Sequence, residues 1–259
     1  MRIDLNCDVG ELEGSANLDA ELMRLISSAN IACGAHAGNP ALMRRTIALA
    51  LEHGVAIGAH PGYDDRAHFG RRPLNLPADT LRDSLLRQLD SLAEAVAQQG
   101  GQLRHIKPHG ALYNQAGADA ELAARLAQWV KAFDPALILV GGAGGALLQA
   151  GRAIGLNVAS EGFADRRYRD DGQLLSRQQP GAVLSDPDDA LKQARALITG
   201  QPIISDTHKP LRLAIDTLCL HGDSPQALNF AQIIHHWLQQ SGVQLAPLMP
   251  PQRPLRPIR

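Results

Sequence analysis

Short apolar runs alternate with longer amphipathic segments along nearly the whole 259-residue chain. Runs typical of β-strands lie at residues 2–7, 30–33, 55–58, 103–106, 136–140, 156–160 and 213–220. Helical patterns follow them at residues 18–28, 40–53, 79–99, 119–132, 144–153, 187–199 and 224–240. Seven β–α units in series predict an α/β fold, a mainly parallel sheet with helices outside it. With right-handed crossovers, such a series either closes into a barrel or forms an open doubly wound sheet.

The segment at 79–99 illustrates the helical signal. Its apolar residues recur three or four apart and form one stripe: Leu81, Leu85, Leu89, Leu92 and Val96. The glycine pair at 100–101 predicts the end of this helix. An earlier helix is predicted to begin after Asn39, a capping residue followed by Pro40 at the first helical position.

No linker or low-complexity segment divides the chain. We therefore expect one domain over residues 1–246, with a charged irregular insertion at 161–186. The tail at 247–259 is rich in proline and arginine, which predicts a flexible segment. Cys7, Cys33 and Cys219 form an odd set without CxxC spacing. This pattern predicts free buried thiols rather than disulfides or a structural zinc site.

Charge and hydropathy argue against two classes of partner. The formal net charge is −1, which gives no electrostatic reason to bind nucleic acid or an anionic membrane. No apolar run approaches the roughly 20 residues that a membrane-spanning helix needs. The chain also enters a strand directly after Met1, without a leader pattern. We therefore expect a cytoplasmic protein.

Ionisable residues recur just after the predicted strands. They are Asp8, His36, His60, Lys107, His109, Glu161, His221 and Asp223. Taken singly, a strand-end histidine is more often a structural group with a satisfied hydrogen bond, and Asp8 is typical of a turn cap. A closed barrel, however, gathers the carboxyl ends of its strands around one small ligand. Their joint recurrence predicts a polar active site there, with the perturbed pKa values that acid–base chemistry requires.

Two further segments bear on ligand binding. Arg166 lies in a dense run of charges that is typical either of a solvated surface loop or of a lid whose arginines bind a carboxylate or phosphate. The loop GGAGG at 141–145 precedes a helix, as phosphate-binding loops do. It matches neither the Walker A pattern nor the dinucleotide fingerprint. The sequence therefore shows no recognisable nucleotide site of its own.

Eight short motifs carry the polar residues in order along the chain. They are NCDVGE at 6–11, SANIACG at 28–34, HAG at 36–38, IGAHPG at 57–62, FGRR at 69–72, KPHGALYN at 107–114, FADR at 163–166 and CLHGD at 219–223. Together they resemble the LamB/YcsF family, understood as the A component of the prokaryotic ATP-dependent 5-oxoprolinase. The resemblance covers nearly the whole chain, to about residue 245.

The resemblance implies an irregular seven-stranded (β/α) barrel, similar to a TIM barrel and related to glycoside hydrolases and polysaccharide deacetylases. It also implies a hydrolase that acts on a cyclic amide C–N bond. The expected reaction converts 5-oxo-L-proline to L-glutamate, with ATP as co-substrate of a complex that contains subunits B and C.

The chemistry of the lactam suggests roles for the strand-end residues. The lactam is an unstrained amide with a poor leaving group, and phosphorylation of its oxygen creates an imidate that water can attack. The site then needs a base, donors for developing negative charge and an anchor for the substrate carboxylate. Given the resemblance, Asp8 is the candidate base, Lys107 stabilises phosphate or oxyanion, and His109 acts as acid or donor. The expected substrate-binding residues are Asn6, His36, His60, Glu161, Arg166, His221 and Asp223.

Two rival functions use the same residues. In the first, Asp8, His36 and His60 bind a divalent metal that activates water in a deacetylase-like hydrolysis. The spacing is not a local metal motif, and the family resemblance does not require a metal. In the second, the chain is a lactam-binding subunit without catalytic activity, and the chemistry resides in its partners.

Overall fold

The computed structural model describes residues 1–14, 16–222 and 226–248. The first half of the described chain contains four barrel strands with their helices. In order, these are β1 (Arg2–Val9), α1 (Ala16–Met23), β2 (Ser28–Ala32), α2 (Pro40–Glu52), β3 (Ala56–His60), a 3-10 helix (Arg66–His68), α3 (Ala78–Gln98), β4 (Leu103–Ile106), α4 (Gly110–Ala118) and α5 (Ala120–Phe133).

The second half contains three more barrel strands and three short ones. In order, these are β5 (Ile138–Gly142), α6 (Ala146–Ala153), β6 (Asn157–Phe163), α7 (Pro187–Ile198), β7 (Ile203–Ile204), β8 (Pro210–Leu211), β9 (Thr217–His221), α8 (Ala227–Gln240) and β10 (Gln244–Leu245). The pair β7–β8 is antiparallel and lies outside the main sheet.

Seven parallel strands close into a barrel in the order β1–β2–β3–β4–β5–β6–β9. Closure occurs at β1, where Asn6 pairs with Ser28 of β2 on one side and with Cys219 of β9 on the other. The short strand β10 adds to the start of β1, where Arg2 pairs with Gln244. The predicted (β/α) barrel is therefore confirmed, and the open doubly wound sheet is not formed. This closure brings the carboxyl ends of all seven strands to one mouth.

Local sequence explains the helices that surround the barrel. The Asn39 side chain accepts hydrogen bonds from the backbone N–H groups of Ala41 and Leu42, so the predicted cap of α2 is confirmed. All members of the apolar stripe of α3 are buried against the core. The helix ends just before Gly100, whose φ of 75° lies in the left-handed region that glycine tolerates.

Several predicted boundaries differ from the structure. The predicted helix at 18–28 ends at Met23, and Ser28 instead begins β2. Helix α4 was not expected, because its sequence of small residues has no strong apolar stripe. The predicted strand at 213–220 begins only at Thr217. The tail from residue 249 onward lies outside the described residues, so its predicted flexibility stays a prediction.

The cysteine prediction is confirmed, since Cys7, Cys33 and Cys219 are free and buried. Within the described ranges, no helix has both the length and the apolar character needed to span a bilayer.

Candidate functional site

The barrel interior is polar, and strand alternation explains why. Side chains of a strand point to opposite faces in turn, so Asp4, Asn6 and Asp8 of β1 share one face. Leu5 and Cys7, on the other face, join the hydrophobic core. Asn6 Nδ2 donates to Glu161 Oε1 of β6 at 3.0 Å and to the Thr217 hydroxyl of β9 at 2.6 Å. Asn6 thus contacts the neighbouring strand β9 and the next strand β6, and the inward face of β1 carries polar residues from its base to its mouth.

A buried lysine lies at the centre of the mouth. Lys107 directly follows β4, and its ammonium lies 2.8 Å from Asp8 Oδ1 and 3.0 Å from Glu161 Oε1. It also contacts Cys219 Sγ at 2.9 Å and Asn6 Oδ1 at 3.3 Å. Lys107 is only 2% exposed, and Asp8 and Glu161 are 5% and 0% exposed. One cation therefore lies between two carboxylates in a nearly water-free environment.

The pKa values of this cluster follow from burial and charge together. Burial alone would lower the pKa of Lys107, but the carboxylates of Asp8 and Glu161 outweigh it and hold that pKa well above its usual value. Burial would likewise raise the pKa of Asp8, yet His60 and Lys107 hold it well below its usual value. Burial raises the pKa of the Cys219 thiol, which favours the neutral form. Asp8 is thus an ionised carboxylate in this arrangement.

Three histidines and one glutamate form a second cluster beside Asp8. His60 Nε2 lies 3.3 Å from Asp8 Oδ2 and 2.9 Å from His109 Nδ1. His36 Nε2 lies 3.2 Å from Glu11 Oε1, and the rings of His36 and His109 stack at 3.7 Å between centroids. Burial is the main cause that holds the pKa values of His36 and His109 well below the usual value. Both rings are therefore neutral near pH 7.

A third group of polar residues lies on the side of the mouth near the charged insertion. His221 Nδ1, at the end of β9, lies 2.8 Å from Asp165 Oδ2. Burial would raise the pKa of Asp165, but His221 outweighs it and lowers that pKa. Arg166 is 3% exposed, and its guanidinium donates to the carbonyl of Leu175 at 2.6 Å. At Arg166 the insertion is therefore packed into the protein and is not a solvated surface loop.

The packing of two loops against each other determines the position of His36. Arg66 of the 3-10 helix donates to the carbonyls of Gly34 and Gly38, each at 2.7 Å, and so fixes the loop that carries His36. Gly70 has a φ of 60°, and a Cβ on it would lie 2.8 Å from the Cβ of His36. Only glycine lets this loop approach the histidine ring so closely.

The structure therefore brings most of the predicted site residues together. Lys107 contacts Asn6, Asp8 and Glu161 directly, while His36, His60 and His109 form the adjoining cluster. His221 and Arg166 lie at the edge, next to Asp165. Asp8, His60, Glu161 and His221 lie within strands rather than after them, because pairing in the barrel continues beyond the apolar runs. Asp223 lies outside the described residues.

Four polar residues of the site were missed from the sequence: Asp4, Glu11, Asn30 and His105. Asn30 donates to Asn6 at 2.7 Å and to Asp8 at 2.8 Å, and His105 Nε2 lies 2.8 Å from Asn30 Oδ1. A signal exists for two of them, since Asp4 alternates with Asn6 and Asp8, and His105 alternates with Lys107, along the sequence. Polar residues at every second position of a barrel strand indicate an inward polar face.

Among the described residues, two groups of side chains have the geometry to hold a metal ion. One contains Glu11, His36, His60 and His109, and the other contains Asp8, Cys219 and His221. In each group the ligand atoms lie within 4.8 Å of one another. The set predicted from the sequence, Asp8 with His36 and His60, is thus divided between the two groups.

The described residues also line a cavity away from this mouth. A space of about 440 Å³ lies at the amino-terminal ends of the strands, lined among others by Arg2, Asp4 and Asp216. It contains none of the mouth residues. We assign the candidate site to the mouth because the ionisable side chains and perturbed pKa values converge there.

Comparison with known proteins gives a consistent result. The model of the LamB/YcsF family matches residues 3–253. The A component of a 5-oxoprolinase from Symbiobacterium thermophilum is 48% identical over 246 residues, which cover 94% of each chain. The crystal structure of a lactam utilization protein from Thermus thermophilus is 38% identical, with a TM-score of 0.87 over 96% of this chain and 100% of that one. A family 4 carbohydrate esterase from Streptomyces lividans is 13% identical, with a TM-score of 0.51 over 97% and 94% of the two chains, and shares the fold alone.

Proposed function

Because the chain belongs to the LamB/YcsF family, we propose that it is the A component of an ATP-dependent 5-oxoprolinase. In this proposal it takes part in hydrolysing the lactam of 5-oxo-L-proline to L-glutamate, in the cytoplasm and together with subunits B and C. The observation that carries the proposal is the buried ammonium of Lys107 between Asp8 and Glu161 at the barrel mouth.

The proposed reaction has two stages. Transfer of a phosphoryl group from ATP to the lactam oxygen gives an imidate, and ADP leaves. Water then attacks the imidate carbon, and cleavage of the C–N bond with proton transfer to nitrogen opens the ring as an acyl phosphate. A second water hydrolyses this acyl phosphate to the carboxylate and inorganic phosphate. Both stages place negative charge on oxygens next to the ring carbon, where a fixed cation lowers the barrier. The Lys107 ammonium is the cation available for this charge.

The coupling between Lys107 and Asp8 supports a role for Asp8 as base. While the ammonium contacts Asp8, the low pKa of this carboxylate makes it a poor base. When the ammonium turns towards a phosphate oxygen, Asp8 loses one of the charges that lower its pKa. Its proton affinity then rises at the stage when water must be deprotonated. His109, next to His60, is the candidate donor to the leaving nitrogen.

The proposal assigns ATP use to the complex, since this chain has no recognisable nucleotide motif. The remaining predicted residues then bind the substrate. Asn6 and Glu161 line the pocket wall below Lys107, while His221 and Arg166 lie on the side of the insertion. A guanidinium near the mouth suits the substrate carboxylate.

Reconstitution with the partner subunits tests the proposal. 5-Oxoproline-dependent ATP hydrolysis and glutamate release are measured with the full set and with each subunit omitted in turn. We expect omission of this chain to abolish glutamate release, and Lys107→Met to have the same effect. Lys192→Met, a change at an exposed lysine of α7, is the matched control and keeps full turnover. Glutamate release without this chain contradicts the proposal. Full turnover by an Asp8→Asn variant supports instead a lactam-binding subunit without catalytic activity.

A further inference from the structure

Two histidine nitrogens in the mouth face each other without an evident proton between them. His60 Nδ1 lies 2.8 Å from the main-chain carbonyl oxygen of Lys107, and His109 Nε2 lies 2.8 Å from that of Phe69. A carbonyl oxygen only accepts hydrogen bonds, so each of these ring nitrogens carries the hydrogen. When a ring of this tautomer is neutral, its other nitrogen carries a lone pair. Those two nitrogens, His60 Nε2 and His109 Nδ1, are 2.9 Å apart.

Two lone pairs at this distance repel each other unless a positive centre lies near both. The carbonyls fix the tautomer and orientation of each ring, as outer-shell partners do for metal-binding histidines. A proton or a metal ion can supply the positive centre. The number and spacing of the surrounding donor atoms distinguish a proton from a metal ion.

Two more donors converge on the same point. Glu11 Oε1 lies 3.4 Å from His109 Nδ1 and 3.2 Å from His36 Nε2. Ligands at about 2.0–2.2 Å from Zn²⁺ are separated by about 3.3–3.6 Å in a tetrahedral site. Three of the separations, 2.9, 3.2 and 3.4 Å, are close to that range. Of the other three separations, the 4.0 Å between Glu11 Oε1 and His60 Nε2 shortens with a rotation of the carboxylate. The two between His36 and the other histidines require the His36 ring to rotate, because it is stacked parallel to the His109 ring. A proton needs two donor atoms, whereas four converge here.

Local charge also favours a cation. Lys107 is shared between Asp8 and Glu161, so one ammonium faces two carboxylates. Glu11 adds a third carboxylate on the histidine side, at 8% exposure. A divalent cation beside Glu11 gains a carboxylate that offsets the cost of its burial, in a region that also feels the guanidinium groups of Arg66 and Arg71.

We propose that Glu11, His36, His60 and His109 bind one first-row divalent cation, and that Zn²⁺ is the best suited. Imidazole and carboxylate ligands in four-coordinate geometry favour this ion. The site differs from the set expected from the sequence, because Glu11 and His109 are ligands and Asp8 is not. His36 is the ligand without an outer-shell partner, since its buried Nδ1 has no hydrogen bond among the described residues. This inference does not depend on the proposed reaction; with the cation bound, His109 is a ligand and the proton for the leaving nitrogen comes from another group.

Cobalt titration of the unmodified full chain tests the site without any substitution. The purified protein is first treated with a chelator and its metal content is measured by mass spectrometry. Co²⁺ is then added, because its visible absorption reports the number and geometry of its ligands. We expect one equivalent to bind with a four-coordinate spectrum, and Zn²⁺ to displace it. Absence of stoichiometric binding, with a ¹⁵N NMR spectrum that shows His60 or His109 as an imidazolium at neutral pH, overturns the proposal in favour of a proton.

Variants distinguish this site from the neighbouring group. Glu11→Gln and His109→Gln each remove one ligand, and we expect each to weaken Co²⁺ binding by at least about tenfold. His68→Gln changes a half-exposed histidine outside the cluster and is the matched control. His221→Gln removes a member of the other candidate group and is expected to keep binding unchanged. Loss of binding in His221→Gln together with retention in Glu11→Gln overturns the assignment. None of these measurements needs 5-oxoproline, ATP or a partner protein, so they remain informative if the proposed function fails.

Discussion

Replacing Lys107 with methionine tests the central electrostatic feature of the barrel mouth. Methionine has a similar length but no charge, so Asp8 and Glu161 remain buried without their shared cation. At 2.8 Å and an effective dielectric constant of about 20, each ion pair is worth about 6 kcal/mol before desolvation is counted. Desolvation of the ammonium offsets much of this energy. Removal of one partner from a buried pair typically costs about 3–5 kcal/mol.

We therefore expect Lys107→Met to lower the free energy of unfolding by about 3–5 kcal/mol at pH 7. This is a large part of the roughly 5–15 kcal/mol that is typical of a folded domain. The pKa of Asp8 is expected to rise in the variant, because a charge that lowers it has been removed. The loss of stability should consequently diminish at acidic pH, where Asp8 binds a proton.

Urea denaturation followed by circular dichroism measures this change. A chelator is present throughout, so that no bound cation contributes to stability. Lys192→Met is the control and should stay within about 0.5 kcal/mol of the unmodified protein. The double variant Asp8→Asn with Lys107→Met removes one of the two stranded charges and should recover about 1–3 kcal/mol. A loss of less than about 1 kcal/mol in Lys107→Met would show that the carboxylates find other partners, and it would refute the reasoning.

Two other predictions concern pH and backbone packing. Burial, with a smaller effect of Lys107, lowers the pKa of His105 from 6.5 to about 3. The unfolded chain therefore binds more protons than the folded one below pH 6.5, and unfolding free energy should fall on acidification by up to about 1.4 kcal/mol per pH unit for this residue. A flat urea-denaturation profile between about pH 7 and 5 contradicts this. A Cβ at Gly222 would lie 2.2 Å from the main-chain oxygen of Asp8, so Gly222→Ala should cost about 1–3 kcal/mol in thermal unfolding. Gly117→Ala is the control, since nothing lies within 4 Å there, and a helical alanine should stabilise by about 0.5–1 kcal/mol.

The repeat of strands and helices predicted the layer structure but left closure open. Periodicity indicates which segments form strands and helices, because it reflects the burial of one face of each element. Closure depends instead on the pairing of β1 with both β2 and β9, where Asn6 lies opposite Ser28 and Cys219. These pairings are non-local, and nothing in the apolar pattern distinguishes them from those of an open sheet. Only the resemblance of the motifs to a barrel family favoured the closed barrel over the open sheet.

The polar interior was only partly predictable for a related reason. Strands of a parallel sheet are usually apolar on both faces, so polar residues were sought at strand ends. Asp8 and Lys107 were found in this way. Asp4 and His105 lie deeper and were missed, although both alternate with these residues along β1 and β4. Glu11 lies beyond β1, after Gly10 turns the chain with a φ of 70°, and its direction depends on that turn.

The deeper polar residues also help to explain how the mouth is held in place. Buried Asp4 accepts hydrogen bonds from the hydroxyls of Ser27, Ser28 and Thr217 at 2.5–2.7 Å. Thr217 contacts Asn6, Asn6 contacts Asn30, and Asn30 donates to Asp8. An unbroken chain of hydrogen bonds thus runs from the base of the barrel to the carboxylate beside Lys107. Because each buried polar group in such a chain is costly to leave unpaired, its members restrict one another's orientation. An apolar interior would pack as well, but it would leave Asp8 without a fixed direction. We therefore interpret this chain of buried hydrogen bonds as the support that holds Asp8 in a fixed position beside Lys107 at the mouth.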